Sequence, residues 1–340
     1  MTRAYILRRL ALIPLTLLAI IAVNFAVIQA APGGPVQALA AKLRGAATPF
    51  ASPAGVPDAT IAALDRQFGF DEPPLTRFAH LLVDDLTFNF GDSYTSGAPV
   101  AGLIAQRLPV SVSLGLWSTL LAYLLSLPLG LLKAQRAGSL FDGLSSLLIL
   151  AAYAVPGFLL AVILLAGLAA GGLIPLFPFG GLTDQEAATW PWPARLADYA
   201  WHLTLPTLAM TAGGLASLTL LTRNAALATL PAAFITAARA RGAGPRDILR
   251  RHLLPHAALL LAAGFPAAFT GILFSSALLI EIIFNLNGLG RLGYEAVLTR
   301  DYPVMFATLY IYSLTALVAQ LAGDLLLLRL DPRLSFARHP

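Results

Sequence analysis

No cysteine occurs among the 340 residues, and that absence removes disulfides, thiolate metal sites and cysteine nucleophiles together. Charge is nearly as scarce: Asp, Glu, Lys and Arg make up 11% of the chain, against about 25% in an ordinary soluble domain. A chain that is 58% hydrophobic and so thinly charged cannot have water as its main solvent. No Gly-x4-Gly-Lys-Ser/Thr phosphate loop occurs, so no nucleotide site of that kind is written into the sequence. The net charge of +5 does not point to nucleic acid either, because no Lys/Arg tract interleaves with aromatic residues as a binding groove requires.

Long apolar runs take the place of what is missing. A helix crossing about 30 Å of hydrocarbon needs about 20 mostly apolar residues, because unpaired backbone groups are too costly in lipid. Six stretches qualify, at residues 10–31, 110–132, 144–173, 203–222, 257–280 and 304–323, and none contains Asp, Glu, Lys or Arg. The fold class expected is therefore an all-α membrane protein with six transmembrane helices. The tail of the third run, through Ile174, Pro175 and Pro178, is expected to leave the membrane as a turn or short re-entrant piece.

Cytoplasmic connections retain positive charge, so the basic residues orient the chain. With the N-terminus inside, Lys42, Arg44, Arg66, Arg77, Arg107, Arg195, Arg291 and Arg300 fall outside, and the other fourteen of the 22 fall on the inner side in shorter segments. Both termini are then cytoplasmic. Arg8-Arg9 followed by an apolar run ending at Ala30-Ala31 also has features of a cleaved signal, but the run exceeds the usual core of about 7–15 residues, so a retained anchor is expected. The divisions that follow are an anchor at 1–31, an extracytoplasmic segment at 32–109, a five-helix core at 110–328 carrying a loop at 223–256, and a cytoplasmic tail at 329–340. Within the extracytoplasmic segment, Ile61, Leu64 and Phe68, then Phe78, Leu81 and Leu82 after Pro73-Pro74, predict two short surface helices.

The loop at 223–256 is the longest inner connection and the most basic segment of the chain. Residues 232–241 are good helix formers, Gly242-Ala243-Gly244 supplies a stop, and Pro245 starts a second helix through Arg250. On the first helix Phe234, Ala237, Ala238 and Arg241 share a face, a small smooth surface suited to a groove on a partner protein. An interfacial helix among anionic headgroups explains the arginines equally well on periodicity alone.

Thr236-Ala237-Ala238, then Gly242, then Leu254-Pro255 resemble the signature loop of ABC-importer permeases, Glu-Ala-Ala-x3-Gly-x9-Ile-x-Leu-Pro, with every spacing kept. Thr236 stands where that loop is acidic and His252 where it has isoleucine. The resemblance extends along the chain through Ala31-Pro32-Gly33-Gly34-Pro35, Phe90-Gly91-Asp92-Ser93, the stretch from Leu108-Pro109 to Leu114, Tyr153-Ala154-Val155-Pro156-Gly157-Phe158, Asn287-Gly288-Leu289-Gly290 and Arg300-Asp301-Tyr302-Pro303. Within the dipeptide/oligopeptide group of binding-protein-dependent permeases, Gly115-Leu116-Trp117-Ser118-Thr119-Leu120 and Leu279-Ile280-Glu281 look nearest to the Yej-type B-subunit branch, associated with peptides and microcin C.

That resemblance implies the type I importer permease fold with a cytoplasmic coupling helix, and no catalytic residue or cofactor on this chain. ATP and Mg would be bound by a partner ABC ATPase, beside a second permease subunit and a periplasmic solute-binding protein. The coupling residues implied are Thr236, Ala237, Ala238, Gly242, Leu254 and Pro255, with Arg239, Arg241 and Asp247 as further candidates whose bland reading is an ordinary solvated face. Glu281 lies where the fifth run meets the outer surface; a carboxylate at that depth is a candidate for the pathway or a gate, or an interfacial residue with a wet side chain, and Asn285 and Asn287 share both readings.

Two features mislead. Gly288, Gly290 and Gly293 make Gly-x-Gly-x-x-Gly, but an apolar helix precedes them where a dinucleotide fold needs a strand. His252 and His256 have zinc-pair spacing without an intervening Glu or a third ligand. An ion-coupled secondary transporter, which also fits six spans, calls for paired intramembrane acids or broken helices in matching halves, and a membrane-embedded hydrolase for a His or Asp beside a Ser within a span. A non-transporting scaffold is the remaining alternative.

Overall fold

A computed structural model describes residues 2–30 and 71–330. The predicted helix around Ile61 and the tail at 331–340 lie outside the described residues. Long helices dominate: α1 (Thr2–Ala30), α2 (Pro74–Thr87), α3 (Val100–Gln135), α4 (Leu140–Ala154), α5 (Gly157–Leu168), α6 (Trp192–Thr229), α7 (Ala233–Ala240), α8 (Pro245–Ile248), α9 (Leu254–Ile283), α10 (Leu289–Thr299) and α11 (Tyr302–Leu330). Among the described residues, five segments are long and apolar enough to cross a membrane, at Arg9–Ala30, Val100–Gln135, Trp192–Thr229, Pro245–Leu273 and Tyr302–Arg329.

The third apolar run is not one rod. It is the pair α4 and α5, bent by 93° at Val155-Pro156. Proline disfavours the α region for the residue before it, and Val155 accordingly sits extended at φ −80°, ψ 121°. Hydropathy is blind to that dihedral, so the single span expected at 144–173 is broken at Pro156. The segment after α5 folds back as a cap: the amides of Leu173, Ile174 and Leu176 donate to the carbonyls of Ala166, Gly167 and Leu168, which would otherwise be orphaned at a helix C-terminus. A broken helix is thus present, but it is single among the described residues, not one of a matched pair.

The chain divides into two compact units. One comprises the described residues within 1–109 together with 289–318. In it α1, α2 and α11 meet through Leu17, Ile21 and Tyr310 with Phe78, Leu81 and Leu82, so the amphipathic stripe predicted after Pro73-Pro74 faces this core. The loop after α2 is fixed by a buried carboxylate: Asp301 accepts from the Ser93 hydroxyl at 2.5 Å and from the amides of Tyr94 and Thr95. Two landmarks far apart in sequence, Gly91-Asp92-Ser93 and Arg300-Asp301-Tyr302-Pro303, are therefore one structural element.

The other unit, 110–288 with 319–330, has α6 at its centre. Twelve α6 residues are buried, among them Leu205, Pro206, Ala209 and Thr222. Small residues let backbones approach where water supplies no driving force between helices. At Gly130 on α3, a Cβ would lie 2.5 Å from Thr222 Cβ and 2.7 Å from the Thr219 carbonyl oxygen, so α3 and α6 touch there only because the side chain is absent.

Candidate functional site

The loop between α6 and α9 is a folded elbow. After α7, Gly242 adopts the left-handed conformation at φ +86°, and the Ala243 amide reaches back to the Ala238 carbonyl at 3.0 Å. This is a Schellman-type stop, in which glycine avoids the Cβ penalty of positive φ. Gly244 then caps α8, with Pro245 at its first position.

The second helix does not end at Arg250. The backbone passes through a π turn, Leu249–Leu253, and continues directly as α9. Pro255 has no amide to donate to the carbonyl four residues back and its ring crowds that carbonyl. The wide turn absorbs the mismatch. Leu254-Pro255 therefore joins elbow to span without a flexible link.

The faces of α7 also differ from the sequence expectation. Ile235 and Ala238 point inward and are buried, at 0% and 3% exposure, in a core shared with Leu131, Ala134, Ala226, Ile248 and Leu253. Ala238 is thus a packing residue of the chain's own interior. The outward surface is made by Phe234, Thr236, Ala237, Arg239 and Arg241, with Asp247 exposed on α8. Phe234 stacks on His256 with ring centroids 5.3 Å apart, and lies 6.0 Å from the His252 ring. The two histidines hold an aromatic in place, and among the described residues no cluster suits a metal. His252, the odd residue of the signature, packs where isoleucine was expected. Asp247 sits 3.8 Å from Arg251, both exposed, a pair of little energetic weight.

A buried charge cluster that sequence reasoning missed braces the neighbouring helix ends. Lys133 at the end of α3 is fully buried, and its ammonium donates to the Asp142 carbonyl oxygen at 2.8 Å and to Ser145 and Ser146 at 2.7 Å. The Asp142 carboxylate is 3.2 Å from that ammonium. It also accepts two bonds from the Arg223 guanidinium on α6, at 2.9 and 2.6 Å, and one from the Gly138 amide. Three helices are tied by one acid. The signal available in sequence was Ser139 with Asp142 three residues on, a capping pair; Ser139 accepts from the Asp142 amide. Gln135 adds a bond from α3 to the Pro245 carbonyl oxygen at 3.1 Å.

At the other end of α9, Glu281 is fully buried and accepts a hydrogen bond from Ser111 at 2.5 Å. The wet interfacial reading does not hold. Gly288 presses against the same carboxyl group, where any Cβ would collide with it. Asn285 and Asn287 are exposed, and Asn285 ends the helix at φ +49°.

Comparison with known proteins adds a further layer. The family model for the binding-protein-dependent transport system inner membrane component matches residues 126–336. The inner membrane ABC transporter permease protein YejB of Escherichia coli O157:H7 is 44% identical over 98% of this chain and 99% of its own. The peptidoglycan transport system permease protein YejB of Agrobacterium fabrum is 41% identical, with 99% of each covered. The dipeptide transport system permease protein DppB of Lactococcus lactis is 30% identical over 97% of this chain and 98% of its own. Among solved structures, a chain of the inward-facing MetNI methionine ABC transporter superposes with a TM-score of 0.50 at 20% identity, covering 68% of this chain and 98% of that one. The fold is the type I ABC-importer permease fold.

Proposed function

Because the chain belongs to the family of binding-protein-dependent transport system inner membrane components, we propose that it is a permease subunit of an ATP-driven importer that carries peptides across the bacterial inner membrane. The YejB and DppB likenesses support the peptide class, with oligopeptides and microcin C-like cargo as the expected range. Both termini are cytoplasmic, and the divisions at 1–31, 32–109, 110–328 and 329–340 follow from that orientation. The partners are a cytoplasmic ABC ATPase that binds ATP and Mg, a second permease subunit in a heterodimer, and a periplasmic solute-binding protein.

The observation that carries the mechanism is the braced elbow. Its outer face, Thr236 and Ala237 flanked by Arg239 and Arg241, is the coupling surface for the ATPase, while Ala238 and Gly242 hold its shape from within. Asp247 lies at its edge. Force received there passes through Leu254-Pro255 into α9 without a loose joint, and the ATPase cycle rocks the helices between outward- and inward-facing states. Glu281 with Ser111, at the far end of the same helix, is the gate or pathway element, with Asn285 and Asn287 beside it.

The absence of cysteine makes the test direct. A single Ala237→Cys variant, in the complex reconstituted with its ATPase, is expected to cross-link to one cysteine placed in the ATPase surface, with yield changing between nucleotide-free and ATP-bound states. Gly242→Pro should abolish peptide uptake and substrate-stimulated hydrolysis while the complex still assembles. Unchanged uptake in an assembled Gly242→Pro complex, or no cross-link to any ATPase, refutes the coupling role.

A further inference from the structure

A cavity of about 350 Å³ lies within the first unit, walled by α1, α2, the loop after α2 and the start of α11. Two chemistries line it. Phe25, Phe90, Tyr94, Tyr302 and Phe306 contribute aromatic rings, and Glu72, Asp84, Asp85 and Asp92 contribute carboxylates. Against those four acids stand one arginine and one histidine, and both are engaged: Arg77 donates to Gln29 at 3.2 Å, and His80 lies 3.3 Å from Glu72.

Asp85 sets this cluster apart from an ordinary solvated acidic surface. It lines the cavity yet is 2% exposed, and its buried Oδ2 has no hydrogen-bond partner among the described residues. A buried acceptor left unsatisfied is destabilising, more so when charged, so a fold that keeps one has a vacancy for a donor. Aromatic faces attract cations through their quadrupole, and the volume falls within the range of small-ligand pockets, about 300–1,000 Å³. A metal ion fits less well, because among the described residues no three His, Asp or Glu side chains converge to ligate one.

We propose that this cavity binds an organic ammonium group, with the Asp85 carboxylate as its counter-charge and the surrounding rings as its walls. A primary ammonium donates up to three hydrogen bonds and carries an apolar stem. It therefore satisfies the orphaned oxygen and fills the aromatic enclosure at once. Burial, and next the charge of Asp84, raise the Asp85 carboxyl from 3.8 to about 7; an arriving cation favours its ionised form. The importer reading enters only in assigning the cavity to the extracytoplasmic side, where the α-ammonium of a peptide is the natural ligand of this class.

The test is calorimetric titration of the assembled complex in lipid nanodiscs with n-butylammonium chloride at pH 8, and with n-butanol as the neutral control. Saturable binding of n-butylammonium and none of n-butanol is expected. Asp85→Asn, which keeps the side-chain shape, should weaken binding at least tenfold, and Phe306→Leu several-fold with the carboxylate intact. No binding, equal binding by Asp85→Asn, or equal binding of the alcohol overturns the proposal. Should Asp85→Asn fail to assemble, the alcohol contrast and Phe306→Leu still decide. Peptide uptake by the same complex separates the two readings: transport without n-butylammonium binding sinks the cavity alone, and binding without transport sinks the importer.

Discussion

Two buried aspartates in this molecule have opposite fates. Asp142 has its carboxylate filled by Lys133, Arg223 and the Gly138 amide. Asp85 keeps an oxygen with no partner among the described residues. One acid is a knot and the other a vacancy. Burial alone therefore does not reveal a carboxylate's role; the state of its acceptor sites does.

The sharpest way to break the contrast is to cut the knot. Asp142→Ala strands a fully buried ammonium and a guanidinium, and removing one member of a buried ionic group costs about 3–5 kcal/mol. A drop in the thermal midpoint of the purified protein by many degrees is expected, with loss of complex assembly. A midpoint within a degree of the parent would mean that the cluster braces nothing.

Asp85→Asn should act in the other direction, and only at high pH. The native carboxyl titrates near 7 against 3.8 unperturbed, so the folded state holds the proton longer than the unfolded one. The contribution of the neutral Asp85 carboxyl to stability is full below about pH 4 and is lost as pH rises through 7. The variant escapes that loss, on the order of 4 kcal/mol. Its midpoint should match the parent at pH 4 and exceed it at pH 8; a constant difference across that range contradicts a proton held by burial.

The smallest effect is expected where neither burial nor geometry gives charge any leverage. Asp247 and Arg251 are exposed and 3.8 Å apart, so Arg251→Ala should change stability by under about 0.5 kcal/mol. A larger loss in chemical denaturation would show that the elbow's surface charges do structural work.

Much of this was legible before any coordinates. The apolar runs announce membrane helices because lipid leaves the backbone no other option, and Gly242, Gly244 and Pro245 announce the turn because their dihedral preferences act locally. Interactions that span the chain were not legible. The cluster of Lys133, Asp142 and Arg223 was one of them, since nothing local shows that residues 90 positions apart share one carboxylate. Glu281 was visible as an oddity, but its partner Ser111 lies 170 residues away. The face of α7 was half legible: periodicity gave the stripe, and the more apolar Ile235 was the clue that the inward side ran through Ala238, not Phe234. The bend at Pro156 was written in the sequence and outweighed by hydropathy, which counts transfer energies and ignores torsion.

The π turn before Leu254 has a mechanical corollary. A helix of 30 residues measures about 45 Å at 1.5 Å per residue, and here it is fused to its own handle. With no hinge at the handle, a tilt imposed at one end must reappear as a sideways sweep near Glu281, about 40 Å along the axis. Pro266 lies within the shaft, roughly midway, where a missing amide lets the rod flex. On the proposed coupling role, handle and shaft make α9 a crank whose throw depends on where that proline falls.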